Sequence, residues 1–146
     1  MQDSPASILV IEEHPLMRAS LCAVIEAEAD LCVLQPNPVD LQSFPFQATS
    51  QHDLLFLPKR PDAILFSIGN PGREDLSAIR RLHQVWSGVP ILALTMDELP
   101  GQEQTALQYG ARSALGKSAS REDLLCALRA ALKSHANFGA VSSIHL

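Results

Sequence analysis

Along this chain, short and mostly apolar runs alternate with longer segments whose apolar positions recur at helical spacing. Ile8-Leu9-Val10-Ile11, Leu31-Cys32-Val33-Leu34, Ala63-Ile64-Leu65-Phe66, Val89-Pro90-Ile91-Leu92-Ala93-Leu94 and Arg112-Ser113-Ala114-Leu115-Gly116 are the strand candidates. An unbroken apolar run is what a strand covered by helices on both faces requires, so the pattern predicts a parallel sheet. His14-Pro15 starts a first helix, with proline suited to the first helical position and Leu16, Leu21, Val24 and Ile25 near one face. Leu76, Ile79, Leu82 and Val85 predict a helix from about Glu74 to Trp86. A helix over Pro100–Tyr109 is closed by Gly110. Ser120-Arg121-Glu122-Asp123 reads as a cap opening a last helix, whose buried stripe is Leu124, Leu125, Leu128, Ala131 and Leu132.

Two stretches lack such a pattern. Pro36, Pro38, Pro45 and Pro58 interrupt the segment from Pro36 to Arg60, where one short helix or turn around Gln51–Leu57 is expected. His135–Leu146 has no strong period and is expected to be loosely ordered. Five strands alternating with helices imply a doubly wound α/β fold with one five-stranded parallel sheet. A single domain over residues 1–134 is expected, followed by 135–146 as a tail or the start of a linker.

The strand tips carry the polar residues that the runs lack: Glu12-Glu13 after the first, Ser67 after the third, Thr95 after the fourth and Lys117 after the fifth. In open α/β sheets, ligands and chemistry collect beyond the carboxyl ends of the strands. Composition narrows the reading further. With 47% apolar and 18% charged residues, 146 residues suffice for one packed domain. A formal net charge of -5 without a run of Lys and Arg argues against direct nucleic-acid binding by this domain. No basic, then apolar N-terminal leader and no apolar stretch of about 20 residues are found, so a cytoplasmic protein is expected, with no membrane contact. Cys22, Cys32 and Cys126 are far apart and lie in apolar segments, which predicts small buried side chains in a reducing compartment. His14, His52, His83, His135 and His145 show no metal-ligand spacing.

Several landmarks, in order, resemble response-regulator receiver domains over Ile8–Lys133. Glu12-Glu13-His14-Pro15-Leu16-Met17-Arg18 resembles the family's acidic pair, in the His-Pro-Leu-x-Arg form of receivers attached to LuxR-type helix-turn-helix effectors. Pro61-Asp62, the apolar run and Pro71-Gly72 match the third strand and its loop; Pro90–Thr95 matches the strand ending in a switch threonine; Gly110-Ala111 and Lys117-Ser118 match the family's turn and lysine. The resemblance implies a flavodoxin-like (CheY-like) three-layer sandwich. It also implies that Pro36–Arg60 carries an insertion. In the family, the acidic pair, a phosphoacceptor aspartate and a backbone carbonyl at the position of Gly69 hold Mg²⁺. Here the acceptor position is Ser67, and the aromatic switch position on the fifth strand is Ala114.

Those departures shape the expected function. A serine hydroxyl is protonated at neutral pH and needs an adjacent base to act as a nucleophile. The resemblance thus implies a pseudo-receiver: not an enzyme, but a two-component-type signalling or transcriptional regulator module that acts by protein–protein contact independently of aspartyl phosphorylation. Glu12, Glu13 and Gly69 form a weak or lost Mg²⁺ site, or else the glutamates are a solvated pair compensated by Lys117, and no cofactor is expected. Docking or homodimerisation is expected through the fourth helix, fifth strand and fifth helix, or through the first and fifth helices, with a DNA-binding domain downstream as a further partner. Two alternatives stand beside this reading. One is a small-molecule or ion sensor using the pocket bounded by Glu12, Glu13, Ser67, Thr95 and Lys117; the other is a phosphoreceiver with a non-standard acceptor in a phosphorelay.

Overall fold

A computed structural model of the chain describes residues 4–34, 60–69, 73–96 and 101–144, and within these the side chains of all but 73–75 and 134–144. The insertion and short helix expected between Pro36 and Lys59 lie outside the described residues. Within them the order is β1 (Ala6–Ile11), α1 (Pro15–Glu26), β2 (Leu31–Val33), β3 (Ala63–Ser67), α2 (Arg73–Val85), β4 (Ile91–Thr95), α3 (Gln102–Tyr109), β5 (Ser113–Gly116) and α4 (Arg121–Ile144). The sheet order is β2-β1-β3-β4-β5, and every pair is parallel. The expected doubly wound sheet is present, with the expected fourth and fifth helices as α3 and α4.

Side-chain alternation along each strand explains the unbroken apolar runs. Leu9, Ile11, Ile64 and Phe66 face one way and pack with Ala78, Ile79 and Leu82 of α2 and Ala106 of α3. Ile8, Val10, Leu65, Leu92 and Leu94 face the other way, onto Leu21 and Ile25 of α1 and Leu124, Leu125 and Leu128 of α4. The central strands β1, β3 and β4 thus have two dry faces, where a polar residue needs a partner, whereas the edge strand β5 is half-exposed. Trp86 and Tyr109 pack partly buried against the first layer.

Local chemistry sets the helix limits. Pro15 begins α1, behind an extended His14. Gly110 ends α3 at φ 126°, where a Cβ would lie 2.9 Å from His83, so both its conformation and its surroundings call for glycine. Ser120 Oγ accepts the Asp123 N–H at 3.1 Å, capping α4. At the opposite edge of the sheet from the strand tips, Ser7 N–H donates to Asp62 Oδ2 at 2.8 Å, and Asp62 N–H to the Ser7 carbonyl at 2.9 Å.

Three local expectations change. Leu16 is 82% exposed on the first turn of α1, because the buried stripe of that helix begins a turn later with Leu21 and Ile25. Cys126 is exposed and Cys22 and Cys32 only half-buried, since they flank the buried stripes rather than lie on them. The tail is helical to Ile144: once a helix is nucleated, each added residue needs one further hydrogen bond and no apolar stripe.

Candidate functional site

The C-terminal edge of the sheet brings together the tips of β1, β3, β4 and β5. Register fixes their relation: Ile11 pairs with Phe66, Ser67 with Leu94, and Thr95 with Gly116. Glu12, Ser67 and Thr95 therefore meet at one level, with Lys117 one residue past the end of β5.

Glu12 is the most deeply held of these groups, with its side chain 1% exposed. Its Oε2 accepts the His14 backbone N–H at 2.9 Å and lies 3.1 Å from His14 Nδ1, on a ring that is 69% exposed. Its Oε1 is buried without a partner, as is Ser67 Oγ. The Ser67 hydroxyl lies near enough to the carboxylate to favour its charge. Burial alone pushes the Glu12 carboxyl up; the Ser67 hydroxyl, the His14 N–H and imidazole, and the Lys117 charge together outweigh it and hold the carboxyl below its ordinary range.

The other expected members are placed differently. Glu13 is exposed, and its Oε2 lies over Gly69, 2.7 Å from where a Cβ there would stand. Thr95 is buried, and its hydroxyl reaches across to the Leu115 carbonyl on β5 at 3.5 Å. Ala114 is half-buried against the α2–α3 core layer. Lys117 is half-buried and forms no ion pair with Glu12 or Glu13; His14 takes the contact that the sequence offered to the lysine. Sequence reasoning missed His14, although a polar residue two positions past a strand-end glutamate has its N–H within reach of that carboxylate. A cavity of about 280 Å³ lies at the opposite, N-terminal edge of the sheet, against Ala6, Arg60, Asp62 and Leu132.

The site can be tested against the Mg²⁺ that the fold family implies. A hard divalent ion needs six oxygen ligands, with anionic charge among them. One Glu12 oxygen is already taken by His14, Ser67 supplies no charge, and Glu13 sits on the rim over Gly69. No group of three His, Cys, Asp or Glu able to hold a metal is formed among the described residues. The donor set does not fit a resident Mg²⁺.

Residues 8–129 match the family model described as response regulator receiver domain. The chain is 28% identical over 127 residues to the nitrate/nitrite response regulator protein NarL of Escherichia coli (strain K12), covering 87% of this chain and 55% of that one. It spans between 51% and 60% of the length of the curated relatives that it matches. Among solved structures, a LuxR-family two-component response regulator from Aurantimonas sp. SI85-9A1 superposes with a TM-score of 0.70 at 23% identity, over 90% of this chain and 87% of that one. A CheY-like response regulator receiver domain protein from Methanospirillum hungatei JF-1 gives 0.67 at 18% identity, over 92% and 98%. Among the described residues no helix is long and apolar enough to cross a membrane. The five-stranded CheY-like sheet, the polar residues gathered at its tips and a family model spanning most of the sequence lead to one conclusion: this chain belongs to the response regulator receiver domain family of two-component systems.

Proposed function

We propose that this receiver is a pseudo-receiver, which signals through protein–protein contact without aspartyl phosphorylation and without a resident metal cofactor. The observation that carries the reading is Ser67, a buried hydroxyl at the tip of β3, in the place where the family puts its phosphoacceptor carboxylate. A neutral hydroxyl cannot take a phosphoryl group unless a base removes its proton. Glu12, the carboxylate beside it, is held in its charged form and so is a weak base. Readout is also curtailed, because Thr95 is directed to the Leu115 carbonyl and Ala114 offers only a methyl group where an aromatic would move. No catalytic role is assigned to any of these residues. The domain is read as a cytoplasmic module of a transcriptional regulator, joined downstream to a DNA-binding domain, as the LuxR-family likeness suggests. Partner or homodimer contact falls on the face of α3, β5 and α4, which exposes Leu107, or on that of α1 and α4, which exposes Leu16.

A second reading, an ion or small-molecule sensor, is favoured by the two unpartnered buried atoms, Glu12 Oε1 and Ser67 Oγ. Incubation with acetyl phosphate and Mg²⁺, followed by intact-mass measurement, tests the main reading. The expected result is no phosphoryl adduct. An adduct on the wild-type chain that disappears in S67A would overturn it in favour of a non-standard acceptor. A thermal shift with Ca²⁺ or a metabolite, without an adduct, would move the conclusion to the sensor.

A further inference from the structure

We infer that Ser67 has turned the pocket at the strand tips from one that needs a divalent cation into one that closes on itself, leaving it a single carboxylate short of metal binding. The inference deepens the pseudo-receiver reading and rests on it. Its starting point is the pair of buried, unpartnered atoms, Glu12 Oε1 and Ser67 Oγ, on neighbouring side chains of which the hydroxyl favours the charge of the carboxylate.

A carboxylate oxygen can only accept hydrogen bonds, whereas a hydroxyl also donates and its proton turns freely about the C–O bond. A small adjustment of Ser67 therefore lets it donate to Glu12 Oε1. The other oxygen, Oε2, already has the His14 N–H at 2.9 Å and Nδ1 at 3.1 Å. With that third contact the carboxylate is fully satisfied by the chain's own groups, and no ion is called for. The contacts also tie together the tips of β1 and β3 and the start of α1.

An aspartate at position 67 would reverse this balance. Two acceptor-only, negatively charged groups would then face each other in a buried place, where like charges cannot both stay ionised without a cation between them. Glu13, lying over Gly69 on the rim, stands ready as a third carboxylate. Three carboxylates and nearby backbone oxygens are the hard-ligand set that a divalent ion prefers. The backbone that is indifferent to metal with serine is thus expected to bind it with aspartate.

The experiment compares the intact wild-type chain and S67D in EDTA and in MgCl₂, by thermal unfolding and by Mn²⁺ broadening of the amide signals of Glu12 and Gly69. The wild type is expected to keep its Tm and its signals. S67D is expected to unfold at lower temperature in EDTA and to gain about 4 °C when Mg²⁺ is about tenfold above its Kd. Broadening at Glu12, or a rise in Tm with Mg²⁺, in the wild type would overturn the inference. So would an S67D chain that ignores Mg²⁺, or one that fails to fold with or without it. Mg²⁺ binding by the wild type without a phosphoryl adduct sinks this inference and the metal-free part of the proposed function but leaves its independence of phosphorylation standing; an adduct on the wild type sinks the pseudo-receiver reading itself.

Discussion

A hydroxyl at position 67 removes one negative charge from the most buried corner of the site, and Glu12 bears the consequence. Its carboxyl, held below its ordinary range by its neighbours, contributes stability that is present above the unfolded carboxylate pKa, about 4.3. That contribution is lost as pH falls through the lower folded value. Glu12→Gln is therefore expected to cost about 2 kcal/mol at pH 7, the scale of a charge-assisted hydrogen bond, and to flatten the acid side of stability against pH. Urea unfolding between about pH 3 and 7 reads both effects, and an unchanged acid side would show that the carboxylate is not stabilised as described. Ser67, Thr95 and Lys117 were legible in the sequence because each follows directly on an apolar run, which fixes it at a strand tip. The bond from His14 to Glu12 was not, since it depends on how the chain turns after β1. An expected Lys117 ion pair gives way to it because His14 is local to Glu12, whereas Lys117 must reach across from β5.

At the level of elements, the strands were the most legible part. Burial on both faces of the central strands leaves little room for polar residues, Ser7 with its Asp62 partner aside, so the runs marked their own ends to within two residues. Glycine was as informative at the end of α3. Gly110→Ala forces a side chain into φ 126° and against His83, with an expected loss of about 1–3 kcal/mol. A lowered Tm with an unchanged m-value in denaturant is the measurement that checks this; wild-type stability would mean that the turn relaxes freely. Helix α4 shows the opposite case. Its first half was readable from the Leu124–Leu132 stripe, but its continuation to Ile144 carries no such stripe, and helix propagation leaves no period in a sequence.

On the scale of the whole molecule, α4 is fastened by charge to the turn between α1 and β2, on the same face of the sheet. Arg129 bonds Glu28 at 2.8 Å and Asp30 at 2.8 and 2.9 Å, while Arg121 meets Glu28 at 3.1 Å. The Arg129 guanidinium, followed for Glu28 by that of Arg121, holds both carboxyls below their usual range. Their contribution is present at neutral pH and lost as pH falls through the lowered values; being exposed, it is also screened by salt. Arg129→Ala is expected to lower Tm slightly at low ionic strength and to leave it unchanged in about 1 M NaCl, where the Debye length is about 3 Å. A deficit equal at both salt concentrations would assign the effect to lost packing instead. Fastened near its start, α4 runs for 24 residues, or about 36 Å at the rise of an α-helix, whereas the five-residue strands beneath it span about 17 Å. The part seated by Leu124, Leu125, Leu128 and Leu132 takes up about half of that length, and a tilt of about ten degrees at Lys133 would sweep the backbone at Ile144, about 16 Å further on, through an arc of about 3 Å.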